Sequence, residues 1–202
     1  MKPDLTDCLR RLKMETCWLQ NEFIAAAPHK DQRSSQLACE MAVIRLHDSW
    51  TRFCREIVVI SALGRTLTLG GTSILPASGV TDRASFVRVL RSKYPYSRRW
   101  YEPKWGTAYH CIDAASRLRI GNLSTIAAAL GAINSPADKI RHVRNFYAHR
   151  RRESARKATS TGLFLSSLSP TVFDLASHTV GGTTVIESWV LNLLAVATAA
   201  LQ

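Results

Sequence analysis

The residues best equipped for chemistry lie close together, in the run SPADKIRHVRNFYAHRRRESARK from Ser135 to Lys157. On a helix, Pro136, Ile140, Val143, Phe146 and Tyr147 fall on one side. Arg141, Asn145, His149 and Arg152 fall on the other, with Arg144 on the flank and His142 beyond His149. One face then carries guanidinium, amide and imidazole at one-turn intervals. Arginine offers a fixed fork of donors that matches phosphate oxygens. Histidine changes charge near neutral pH and can move protons there. These are the parts needed to break an RNA phosphodiester without a metal. A base removes the 2′-hydroxyl proton, the oxygen attacks the adjacent phosphorus, and a cation holds the charge that develops.

Other chemistries lack their residues. The sequence has no GxxxxGK(S/T) phosphate loop, no GxGxxG after a strand, no HExxH and no GxSxG. The pairs Gly70-Gly71 and Gly181-Gly182 read as turns. Zinc on His110 and Cys111 with Cys54 is disfavoured, because adjacent ligands on a helix diverge. No metal and no cofactor are expected.

Charge points to an anionic partner. The 202 residues carry 27 Lys+Arg against 15 Asp+Glu, a net charge of +12. Residues 1–63 are nearly balanced, with nine basic and eight acidic side chains. The surplus sits beyond them, concentrated in Arg83 to Lys104 (seven basic residues) and Lys139 to Lys157 (eight). In these runs Arg98, Arg99, Arg141, Arg150, Arg151 and Arg152 are the candidate RNA-backbone contacts. Trp100, Tyr101 and Trp105 could stack on unpaired bases, although core packing suits both tryptophans slightly better. A basic helix lying on a membrane is disfavoured, since its polar arc is broad and has no Trp-lined insertion face.

The elements that must position these groups are helical almost throughout. Apolar spacing predicts helices from Leu5 to about Ala27 and from about Ser34 to Leu63, the second stopped by Gly64. Thr81 or Asp82 can cap a helix of about a dozen residues. Two further segments follow, about Thr107 to Arg119 and Leu123 to Ile133. Ser135 caps the next, Pro136 takes its first position, and it should reach about Lys157. A terminal helix runs from about Thr184 to Leu201. Long loops are expected at about 65–80 and 160–182, each with room for short extended pieces. The reading is one all-α domain over 1–202, a compact helical bundle. Five cysteines without a CxxC pair, and an N-terminus without an apolar h-region, suggest reduced, buried thiols and a cytoplasmic location. Trp189 to Leu201, interrupted by Asn192, is too short for a bilayer span.

Arg144-Asn145-Phe146-Tyr147-Ala148-His149 resembles the Arg-x4-His signature of the HEPN superfamily, including the polar residue directly after the arginine. The resemblance covers about residues 5–157 and leaves 158–202 as a C-terminal helical extension. It implies a compact α-helical domain, typically dimeric. It further implies a metal-independent endoribonuclease leaving 2′,3′-cyclic phosphate ends, in prokaryotic defence or toxin–antitoxin growth arrest. Arg144 would then bind phosphate and stabilise the transition state, and His149 would be the acid–base group. Asn145 would orient one or the other. Asp48 matches the acidic residue that some members carry on an earlier helix, although an exposed helical Asp is the plainer reading. Members silenced by a partner nucleotidyltransferase carry Tyr two positions after the histidine. Position 151 here is Arg, which argues against that modification.

The implied partners are RNA, a second copy of the chain, and an antitoxin or defence-system protein; no membrane is involved. The alternative is a non-catalytic RNA-binding or scaffolding module of the same family. In-line cleavage wants both a base and an acid, and the motif holds one histidine. His142 lies two turns back on the same helix, a poor position for sharing a phosphate with His149. A C2 dimer apposing the two Ser135–Lys157 helices would bring His149 and Arg144 from both chains into one cleft. Trp189, Leu191, Leu194 and Val196, or exposed parts of the first two helices, would supply its apolar area.

Overall fold

The second helix contributes buried side chains to each of two compact units, and from Ile57 to Ala62 every residue of it is buried. In the computed structural model, α1 spans Leu5–Ala26 and α2 spans Arg33–Leu63. A single 3-10 turn, Ala27–His29, follows α1. The structure describes residues 4–29, 33–64, 66–94, 102–132, 135–161, 175, 179–180 and 182–202. It is all-α, with α3 at Arg83–Lys93, α4 at Ala108–Leu118, α5 at Leu123–Leu130, α6 at Ala137–His149, α7 at Arg152–Thr159 and α8 at Val185–Ala199. No helix among the described residues is long and apolar enough to cross a membrane.

The chain forms two compact units, each built from discontinuous segments. The first comprises Met1–Leu12, Thr51–Ser135 and Ala195–Gln202. Leu5 and Leu12 of α1, with Phe53, Ile57 and Ile60 of α2, belong to its core. The expected 65–80 loop holds a two-residue hairpin, β1 (Thr66–Leu67) antiparallel to β2 (Ser73–Ile74). Gly64 ends α2 at φ +60°, where an added Cβ would lie 2.2 Å from the Pro76 nitrogen. Only glycine fits there. Asp82 caps α3 as anticipated: its Oδ1 accepts the Ser85 N–H at 2.7 Å, and Ser85 Oγ accepts the Asp82 N–H at 2.9 Å. The bond from the Ser85 N–H chiefly holds the Asp82 carboxyl below its usual range. Arg55 binds Glu102 through two bonds of 2.6 and 2.7 Å, and Trp105 Nε1 donates to the same carboxylate at 2.9 Å.

The second unit comprises Lys13–Trp50 and Pro136–Leu194. Leu19 and Phe23 of α1 are in its core, with Val43, Leu46 and Trp50 of α2. Ile140, Val143 and Tyr147 of α6 join them, as do Trp189 and Leu193 of α8. β3 (Thr179–Val180) pairs with β4 (Thr183–Thr184) just before α8.

The α6 region departs from its sequence-based expectation at both ends. Ser135 does not cap α6: Pro136 is the boundary residue, in right-handed conformation, and no side chain closes that end. The long Ser135–Lys157 helix is also broken. Arg150 adopts φ 50°, ψ 27°, which reverses the chain, and α7 packs back along α6. Ser154 stabilises the new start, donating to the Arg151 carbonyl at 2.7 Å and accepting the Arg151 N–H at 3.2 Å. No glycine or proline marks the break, so periodicity alone extends the helix through it.

Candidate functional site

The turn at Arg150 is fixed by its side chain. Its guanidinium pairs with the carboxylate of Glu40, a buried residue of α2, and lies 5.2 Å from the Phe146 ring centre and 5.4 Å from that of Tyr147. A buried carboxylate needs a partner, and two aromatic faces favour a guanidinium beside them. Together they hold a non-glycine residue in a conformation it otherwise avoids.

Because α7 returns along α6, the two helices enclose a small open cleft of about 210 Å³. His142, Asn145 and His149 line it from α6, and Arg151, Ser154 and Lys157 from the other side. Glu153 also borders it and accepts a bond of 2.7 Å from Lys157 Nζ. Burial pulls the His142 pKa below its usual value, the Arg141 and Lys157 charges add to this, and Asp138 opposes. The imidazole is therefore held neutral at neutral pH, the form that accepts a proton. His149, the last residue of α6, is exposed.

Arg144 is not among the residues lining this cleft. Five positions of helix separate it from His149 by roughly 140° around the axis. Its side chain is turned toward α2 and is only 28% exposed. Nη2 lies 3.9 Å from Asp48 Oδ1, and Nη1 donates to Asn145 Oδ1 at 3.3 Å. Nε is buried without a hydrogen-bond partner. Asn145 thus touches both sides: its amide oxygen accepts from Arg144, and the residue lines the histidine cleft.

Beside Asp48 stands a residue that the sequence reading missed, His47. Its imidazole is 13% exposed, neither ring nitrogen has a hydrogen-bond partner, and Nδ1 is 3.6 Å from Asp48 Oδ1. Burial chiefly lowers its pKa, Arg144 and Arg141 lower it further, and Asp48 works against them. A signal was present: His47 is four positions after Val43 and three before Trp50, on the buried face of α2.

The other candidates are scattered. Arg141 is paired with Asp138 at 3.0 Å. Arg151 and Arg152 are exposed, and Asp48 is 52% exposed. Arg98, Arg99, Trp100 and Tyr101 lie outside the described residues. Trp105 is a core residue at 5% exposure, so base stacking is not open to it. No group of three or more His, Cys, Asp or Glu side chains suited to a metal occurs among the described residues. The thiols of Cys8, Cys39, Cys54 and Cys111 are free and buried, whereas that of Cys17 is free and exposed.

Compared with protein-family models, with curated proteins and with solved structures, the chain finds no match.

Proposed function

We propose that the chain is a metal-independent endoribonuclease of HEPN type, with His149 as an acid–base group in the α6–α7 cleft. The observation that carries this reading is the convergence of His149 and Asn145 with Arg151, Ser154 and Lys157 on one cleft. Imidazole, amide and cations are what a phosphodiester needs in order to bind and to exchange protons. Arg144 supports the reading through Asn145, whose amide it holds. The expected substrate is single-stranded RNA and the expected products are a 2′,3′-cyclic phosphate and a 5′-hydroxyl. The expected setting is cytoplasmic, in prokaryotic defence or growth arrest, with an antitoxin or defence protein as a further partner. Cleavage of a labelled single-stranded RNA in EDTA, with end-group analysis of the products, tests it.

A homodimer, which the HEPN resemblance implies, belongs to the proposal. Trp189 and Val196, expected from the sequence to supply dimer area, are core residues at 3% and 8% exposure. Leu191 of α8 is exposed. In the second unit Met14, Trp18, Leu37 and Met41 are exposed too, and provide apolar area on the first two helices.

The alternative, an RNA-binding or scaffolding module without catalysis, is favoured by one observation. Arg144 faces Asp48 and does not share the cleft with His149. RNA binding without any cleavage, unchanged by His149→Ala, would select it.

A further inference from the structure

Resting on the ribonuclease reading, we propose that His142 is the second proton-transfer group of the cleft, so that each protomer carries both the base and the acid. The objection to His142 was distance. Seven residues of helix separate it from His149 by about 10 Å along the axis. On a straight helix the two imidazoles would point into open solvent with nothing to hold a substrate between them. The reversal at Arg150 changes this. α7 closes one side of the space between them, and both histidines line the same cleft. In-line displacement places the attacking and leaving oxygens on opposite sides of phosphorus. Two groups spaced along one wall can each come within hydrogen-bond reach of one of those oxygens.

The roles follow from the surroundings. His142 is the half-buried one, with Asp138 and Arg141 on its own helix, Lys157 and Glu153 on α7, and a neutral ring. It accepts the 2′-hydroxyl proton. The 2′-oxygen then forms its bond to phosphorus as the bond from phosphorus to the 5′-oxygen breaks. Protonated His149 delivers its proton to that leaving oxygen. One proton is taken up and one released, no electron is lost, and the products are a cyclic phosphate and a 5′-hydroxyl. Lys157, held by Glu153 at 2.7 Å, is placed to exchange that carboxylate for the phosphate.

Leaving-group dependence tests this, because a merely structural role would not change it. The full-length protein is assayed on single-stranded RNA and on a nucleoside 3′-(p-nitrophenyl phosphate), whose leaving group needs no acid. His149→Ala should lose at least 10²-fold on RNA but recover most of that on the nitrophenyl ester. His142→Ala should lose at least 10²-fold on both, and should also lose the acidic limb of the kcat/KM pH profile. Equal losses of His142→Ala and His149→Ala on both substrates, or wild-type rates for His142→Ala, would overturn the assignment. Mixing the two inactive variants gives the second arm. No activity should return, whereas recovery would mean that the two groups come from different chains. A wild-type protein that cleaves neither substrate would instead defeat the ribonuclease reading itself.

Discussion

Arg150, the residue that ends α6, forms an ion pair with Glu40 of α2, at the turn that gives the candidate cleft its second wall. The pair does two jobs. It satisfies a buried carboxylate and it pins arginine at φ 50°. Arg150→Ala should therefore lower stability by roughly 1–3 kcal/mol, the scale of a buried carboxylate oxygen that loses its ion partner, with Gln36 Nε2 still donating to the other oxygen at 3.1 Å. Arg150→Gly should be less harmful by about 1 kcal/mol, since glycine enters the left-handed region freely. Urea unfolding of the two variants measures both effects. Alanine as good as glycine would mean that the backbone is not held left-handed there.

What the sequence disclosed, and what it hid, divides along the same turn. The buried face Ile140, Val143 and Tyr147 was legible because helical spacing repeats it. Asp82 was legible because an acidic residue before an apolar period is a cap. The break at Arg150 was not, because its cause is a carboxylate far back in the chain, on α2, and two rings one turn back, rather than a local breaker. Everything depending on that break was hidden with it: the approach of Ser154 and Lys157 to His149, and the shared cleft of His149 and His142. His47 was overlooked because a histidine on a core face carries no motif.

Stability should depend on pH through His47. Burial and the nearby Arg144 depress its folded pKa below the ordinary 6.5. The unfolded chain then takes up the proton first as pH falls, so the contribution is present above about pH 6.5 and is lost below it. The melting temperature of wild type should drop between pH 7.5 and pH 5, and the drop should be smaller in His47→Gln. An identical drop in both would show that His47 is not held neutral by the fold.

Thiol reactivity should single out one cysteine. Cys17 is exposed, whereas burial pushes the Cys8 thiol up to about 12 and Cys39 up to about 11. Maleimide should label one thiol per native chain quickly, and Cys17→Ser should abolish that phase. Rapid labelling of two or more thiols in the folded protein would contradict the packing of Cys8 and Cys39.

RNA affinity should depend on the exposed pair Arg151 and Arg152 more than on Arg150, whose charge is engaged by Glu40. Replacing Arg151 and Arg152 with glutamine should weaken binding of single-stranded RNA. The slope of log K against log salt should also become shallower, by about 0.7 for each phosphate no longer neutralised. An unchanged slope would place α7 away from the bound strand.

The ribonuclease reading stands or falls with His149. The direct measurement is the rate of single-stranded RNA cleavage in EDTA for wild type beside His149→Ala, with both shown to be folded and the product ends identified. Wild type should cut and leave 2′,3′-cyclic phosphates, and His149→Ala should be slower by roughly 10²-fold or more. Cleavage abolished by EDTA and restored by a divalent ion, or equal rates for the two proteins, would contradict it.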